Sequence, residues 1–284
     1  MKVRDLIAHL RLKFQFVFFF VFLIGFFLGG YKDIAKFLFG AFIWLILLSG
    51  GTVAYNSYYD KDEGPISMLK NPPKSGKDLL VFSIAILVIG LLLSYLVNLK
   101  FFVAYVLSFI LAVLYSYPKI RLKTKYGIDL LINGFGYGSL TLLAGWLTST
   151  EVINITAIAA TVVAFFFIAA GLPLTQVFQY EQDKKKGDKT FTVRLGIKKS
   201  LLSSFILFLI GLILLILSAV MGYFELFPVL ITSLVLIYTL FFIFKWYKNY
   251  KNLDHSKQLY KSYGFVVMAV VAFIISHLIL RQFP

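Results

Sequence analysis

The chain of 284 residues is 60% hydrophobic and only 14% charged, with 31 phenylalanines. A soluble domain carries about 45–50% apolar and about 25% charged residues, so this balance excludes an ordinary soluble protein and predicts a polytopic membrane protein. With no cysteine, disulfides and thiolate-bound metals are excluded, and the net charge of +15 sits in blocks between apolar runs, which points to membrane topology rather than nucleic acid.

Nine apolar runs approach the roughly 20 residues needed to cross a bilayer: 14–30, 37–55, 79–97, 101–117, 130–147, 153–177, 201–220, 224–246 and 263–280. Lys2, Arg4, Arg11 and Lys13 precede the first run, as in a secretory signal, but no small-residue cleavage pattern follows and the run counts as a span. Of the 28 Lys and Arg, all but Lys32, Lys36, Lys100 and Arg281 fall before the first run or in alternate linkers, counting Lys245 at the very end of the eighth run with the linker that follows it. That asymmetry predicts a cytoplasmic amino terminus, an external carboxyl terminus and a place in the cell membrane. The external linkers are short, so the chain reads as one all-α domain over residues 1–284 whose function faces the cytoplasm. Gly25/Gly29 and Gly134/Gly138 have the small-xxx-small spacing of packed membrane helices, with access to a cavity as the alternative.

At the end of the second run stand Asn56, Asp60 and Glu63. On a continuing helix, spacings of four and three bring them within about 60° of one another, while Asp62 points elsewhere. Acids at the edge of lipid are costly unless they line a wet cavity or hold a cation. The alternative is a plain loop, in which Gly64-Pro65 ends the helix and Asn71-Pro72-Pro73 turns the chain.

The linker before the fifth run carries Lys119, Arg121, Lys123 and Lys125. It reads either as a positive anchor on anionic membrane lipid or as the cationic half of a diphosphate site, with Arg121 suited to a planar clamp and Lys119 and Lys123 to point charges. Asn133 and Tyr137, at the start of the fifth run, are placed to touch a head group or an acceptor, or to bond a neighbouring helix.

After the sixth run, a continuing helix puts Gln176, Gln179 and Asp183 on one face, with Glu181 nearly opposite Gln179 and Gly187 releasing the chain. Each acidic stretch thus offers an amide and then an acid four residues on. Oxygen donors of this kind suit Mg²⁺, which takes few protein ligands and completes its shell with water and phosphate. An ordinary charged loop remains the alternative, and Lys184, Lys185 and Lys186 cannot all face one site.

Taken together, Asn56-Ser57-Tyr58-Tyr59-Asp60-Lys61-Asp62-Glu63-Gly64, Tyr117-Pro118 with Arg121-Leu122-Lys123, the stretch from Gln179 through Asp183 and Gly187 to Thr190, and Arg194-Leu195-Gly196 resemble the UbiA-type intramembrane prenyltransferases. Their two motifs read NDxxDxxxD and DxxxDxxxGxxT, and the resemblance covers nearly the whole chain. It implies nine transmembrane helices around a central cavity open toward the cytoplasmic side. It also implies transfer of a polyprenyl group from an allylic polyprenyl diphosphate to a lipophilic acceptor. Carried over by position, Asp60, Asp183 and the displaced Glu63 would hold Mg²⁺, with Asn56 and Gln179 ordering water or phosphate oxygen. Arg121, with Lys119 or Lys123, would meet the departing diphosphate. Ser57, Gly64 and Gln179 stand where the family motif expects aspartate, so the carboxylate set is reduced. Two readings compete: a transporter of an isoprenoid or lipid phosphate, and a catalytically weakened protein that binds isoprenoid diphosphates.

Overall fold

The computed structural model describes residues 1–61, 64–66, 69 and 71–282, the last two by backbone alone. Helices follow in chain order: α1 (Val3–Ala8), α2 (Leu12–Leu28), α3 (Ile34–Asp60), α4 (Lys77–Ser94), α5 (Leu99–Ser116), α6 (Ile128–Ser149), α7 (Ile155–Lys186), α8 (Phe191–Leu195), α9 (Ile197–Val220), α10 (Leu226–Lys248) and α11 (His255–Gln282). Eight of them are long and apolar enough to cross a membrane, and α2 is a shorter apolar helix of 17 residues. The chain is an all-helical integral membrane protein. Each apolar run read from the sequence falls on one of these helices, and among the described residues the only β pairing is the isolated bridge between Ile66 and Leu69.

The helices bury small and polar residues beside large apolar ones and leave many aliphatic side chains facing outward, as expected where lipid replaces water. On α4, Leu79, Ser83, Leu87, Gly90 and Ser94 face inward, while Val81, Ile84, Val88, Ile89 and Leu92 are exposed.

The chain packs as two compact units. The first comprises Met1–Lys123 and Leu140–Val152, so it holds α1 to α5 and the second part of α6. Here α2 and α6 approach through glycines. A Cβ at Gly25 would lie 2.0 Å from the Leu142 carbonyl oxygen, and one at Gly145 would lie 1.9 Å from that of Phe22. Gly25 and Gly29 are therefore packing positions. The pair is locked by Ser149 Oγ donating to Phe26 O (2.8 Å), and Trp44 Nε1 donates to Thr141 Oγ1 (3.0 Å) in the same unit.

The second unit comprises Thr124–Ser139 and the chain from Ile153 onward. Gly138 does for α6 and α7 what Gly25 does in the first unit, since a Cβ there would meet Ala164 O at 2.7 Å, and Gly134 sits against Phe165 and Ala169. Ser204 Oγ on α9 donates to Ala170 O on α7 (2.6 Å).

Two helices widen within their spans. α3 adopts π geometry from Phe42 to Gly50, and α6 from Gly134 to Leu140. A π turn takes one extra residue and rotates every later side chain relative to a regular helix. Face assignments that assume 100° per residue therefore fail across Asn133 and Tyr137.

Candidate functional site

The residues singled out by sequence fall into two clusters, one in each unit. In the first unit, α3 carries Asn56, Ser57 and Asp60 and then stops. Asp60 is its last residue, and Lys61 follows in the left-handed conformation (φ 47°), which ends the helix. Of the expected face, Asn56 and Asp60 therefore stand on the last turns of α3. Glu63 lies outside the described residues.

Asp60 is met by the basic linker. Lys123 Nζ donates to Asp60 Oδ1, and Arg121 Nη2 lies 3.7 Å from the same oxygen. The side chains of Asp60 and Lys123 are 13% and 9% exposed, so this is a largely desolvated pair. Lys123 is fixed in a short turn (Leu122–Thr124) rather than acting as a mobile surface charge, whereas Lys119 is exposed. Arg11, at the start of α2, donates through Nη2 to the buried Ser57 Oγ (2.8 Å). Arg11, Lys61 and Arg121 all have positive φ, at 50°, 47° and 43°. That conformation costs a residue with a side chain about 1–2 kcal/mol. Backbone strain is thus spent placing cations around the end of α3. Tyr59 completes the cluster, with its ring centroid 4.9 Å from those of Tyr55 and Tyr58 and 6.2 Å from that of Tyr117.

In the second unit, α7 runs on to Lys186, and Gly187 at φ 75° releases the chain, as its sequence predicts. Asp183 is half-buried; Thr190 Oγ1 lies 3.4 Å from its Oδ2 and donates to it, and Asp188 N donates to Asp183 O (3.0 Å). Gln179 is half-buried on the same helix, while Glu181, Lys184, Lys185 and Lys186 are exposed. Gln176 turns inward instead, its Nε2 donating to Asp129 Oδ2 (2.8 Å). Asn133 bonds its own helix, Nδ2 donating to Asp129 O (2.8 Å), and Tyr137 is half-buried within the π segment.

Sequence reasoning missed Arg11 and Asp129 as site residues, and it named Thr190 only as the last residue of the second motif. Arg11 looked like one more topology charge. Asp129 carried a signal, an acid directly ahead of the apolar run that begins at Leu130, but it stood alone and belonged to no motif.

The donor set fits Mg²⁺ in one mode. Among the described residues no three His, Asp or Glu form a metal-binding cluster. Asn56 and Asp60 in the first unit, and Asp183 in the second, each offer oxygen donors of the kind that suits an ion held by one or two carboxylates and completed by water and phosphate.

The sequence model of the UbiA prenyltransferase family matches residues 17–276. Protoheme IX farnesyltransferase from Caldivirga maquilingensis is 34% identical over 44% of this chain, a match that spans 45% of that protein's length. A UbiA homolog from Archaeoglobus fulgidus, solved bound to GPP and Mg²⁺, superposes with a TM-score of 0.77 at 23% identity, covering 96% of this chain and 99% of that one. The apo structure of a homolog from Aeropyrum pernix K1 gives a TM-score of 0.66 at 14% identity, covering 94% and 97%.

Proposed function

Because the chain belongs to the UbiA prenyltransferase family, we propose that it transfers a polyprenyl group from an allylic polyprenyl diphosphate to a lipophilic acceptor and releases diphosphate. The observation that carries this reading is the gathering of Lys123 and Arg121 on Asp60, with Arg11 on Ser57 three residues earlier. A desolvated lysine and a guanidinium are thus brought to one carboxylate at the end of α3. Such a grouping suits a site that binds a phosphate group and a metal together.

Asp60 and Asp183 are the proposed metal-holding carboxylates, with Asn56 and Gln179 bonding water or phosphate oxygen and Glu63 as a further acid. Mg²⁺, when bound there, would neutralise charge on the diphosphate and make it a better leaving group. Arg121 and Lys123 would bind phosphate oxygens directly, Lys123 exchanging its Asp60 partner for the substrate, with Lys119 adding a more solvated charge. The allylic C–O bond breaks and its electron pair leaves with the diphosphate. A nucleophilic carbon or oxygen of the acceptor then bonds the allylic carbon and loses a proton. Of the tyrosines at the end of α3, the half-buried Tyr59 would offer a π face to the positive charge that develops. Asn133 and Tyr137 remain proposed contacts to the donor head or the acceptor. Residues 1–284 are taken to work as one catalytic domain in the cell membrane, with membrane lipid as surroundings, and the Lys and Arg asymmetry favours a cytoplasmic amino terminus.

The test is diphosphate release by the purified protein, with and without Mg²⁺, across allylic donors and pooled lipophilic acceptors. Release that depends on Mg²⁺ and on Asp183, with a heavier prenylated product, is the expected result. Donor binding without release would overturn it and favour a non-catalytic diphosphate-binding protein. Donor movement between leaflets without release would favour a transporter.

A further inference from the structure

Helix α8 is five residues long, and its start is held by side chains from two other helices. The first N–H groups of any helix lack carbonyl partners within it. Here Phe191 N donates to Asp129 Oδ2 (3.0 Å), Thr192 N to Gln176 Oε1 (2.9 Å) and Val193 N to Thr190 Oγ1 (3.4 Å). Asp129 and Gln176 also hold each other, and Asp129 Oδ1 accepts from Leu130 N (2.9 Å). Asp129 is fully buried and Gln176 is 5% exposed. A carboxylate removed from water is tolerated only when hydrogen-bonded several times over, and this one receives three N–H donors. Packing fixes the same arrangement, for Phe191 stacks on Tyr126 (5.3 Å, 6°) and packs against Leu130 and Ala169.

The residue that caps α8 is Thr190, which also donates to Asp183. Asp129 itself is shut away from any substrate, and both its oxygens are occupied. We infer that Asp129 is a positioning residue for the second acidic motif: with Gln176 it anchors the start of α8, and α8 holds Thr190 against the Asp183 carboxylate. This rests on the reading of Asp183 as a metal-holding group, and it adds a pair of buried residues that set the orientation of that group without touching the substrate. Residues one step removed from a metal ligand commonly change metal affinity or activity by about 10–100-fold.

The test compares purified full-length wild type, Asp129→Ala, Asp129→Asn and Gln176→Glu by three measurements. Hydrogen–deuterium exchange over residues 187–195 is followed without metal or donor, Mn²⁺ binding with inorganic diphosphate is followed by electron paramagnetic resonance, and thermal stability is recorded alongside. Asp129→Ala should speed exchange at Phe191 and Thr192 more than about tenfold and weaken Mn²⁺ binding about tenfold. Asp129→Asn keeps an oxygen for Phe191 N and Gln176, and should stay within about threefold of wild type in Mn²⁺ affinity. If Asp129→Ala does not accumulate as folded protein, Gln176→Glu sets a second carboxylate against Asp129 and should produce the same two shifts. Adding Asp129→Asn to Gln176→Glu removes the repulsion and should reverse both. Unchanged exchange would overturn the inference, as would faster exchange with unchanged Mn²⁺ affinity, which would make Asp129 a purely structural residue. A wild type that binds no Mn²⁺ would also overturn it. Wild type that binds Mn²⁺ but releases no diphosphate from any donor would defeat the proposed activity alone, leaving the exchange and Mn²⁺ shifts to decide the role of Asp129.

Discussion

Lys123 and Asp60 form a nearly dry ion pair at the point where α3 ends, and Arg121 stands 3.7 Å from the same carboxylate oxygen. Removing one member of such a pair leaves the other buried without its counter-charge, which costs more than the pair contributes. Asp60→Asn should therefore lower both turnover, by about 100-fold or more if it holds the metal, and the melting temperature. Adding Lys123→Met should recover the melting temperature but not turnover. Recovery of both, measured by diphosphate release and a thermal scan, would move Asp60 from chemistry to structure.

Arg121 is the planar donor of the cluster. Arg121→Ala should raise the KM for the allylic diphosphate about tenfold or more, consistent with loss of a charge-assisted contact, and Arg121→Lys should recover part of it. Steady-state kinetics with saturating acceptor decide this. An unchanged KM would return Arg121 to the topology charges.

Ser57 occupies a motif position where the family pattern has aspartate, and Arg11 is already bonded to it. Ser57→Asp should fold normally, because the Arg11 guanidinium already donates to the side chain at this position. The same substitution in an Arg11→Met background should lower the melting temperature. A double-mutant cycle on thermal stability measures the coupling, and additive effects would refute it.

Gly25→Ala and Gly145→Ala should each destabilise the protein by about 1–3 kcal/mol, since the added methyl would meet a backbone carbonyl that cannot rotate away. Gly171→Ala, where a Cβ would find nothing within 4 Å, should leave the melting temperature within a degree or two of wild type on the same order-of-magnitude grounds. Equal effects at all three positions would show that these crossings are looser than the distances imply.

The helices and their order were legible because hydropathy and length report directly on the cost of burying backbone in lipid. The glycine pairs and the release at Gly187 were also readable, since each follows from local geometry. The clusters were legible only in part. Asp60, Lys123 and Arg121 were named, but as carboxylate and cations awaiting separate partners; that they pair with one another depends on how a loop 60 residues downstream returns to α3, which no local pattern encodes. That α3 ends at Asp60, with Lys61 left-handed, was not legible in the spacing, and Glu63 lies outside the described residues. Gln176 was grouped with Gln179 and Asp183 by its spacing, but its amide is taken by Asp129, an isolated acid whose importance comes entirely from what folds over it.

Among the described residues, three of the four non-glycine positions with positive φ are the cations Arg11, Lys61 and Arg121. Glycine would occupy each of these backbone conformations with less strain. Selection for thermal stability alone would then reward glycine at Arg121, where the proposed chemistry requires charge, and heat-resistant variants would accumulate substitutions that remove a proposed diphosphate contact. A library sorted for stability without a turnover screen would improve the scaffold while discarding what it was built to hold.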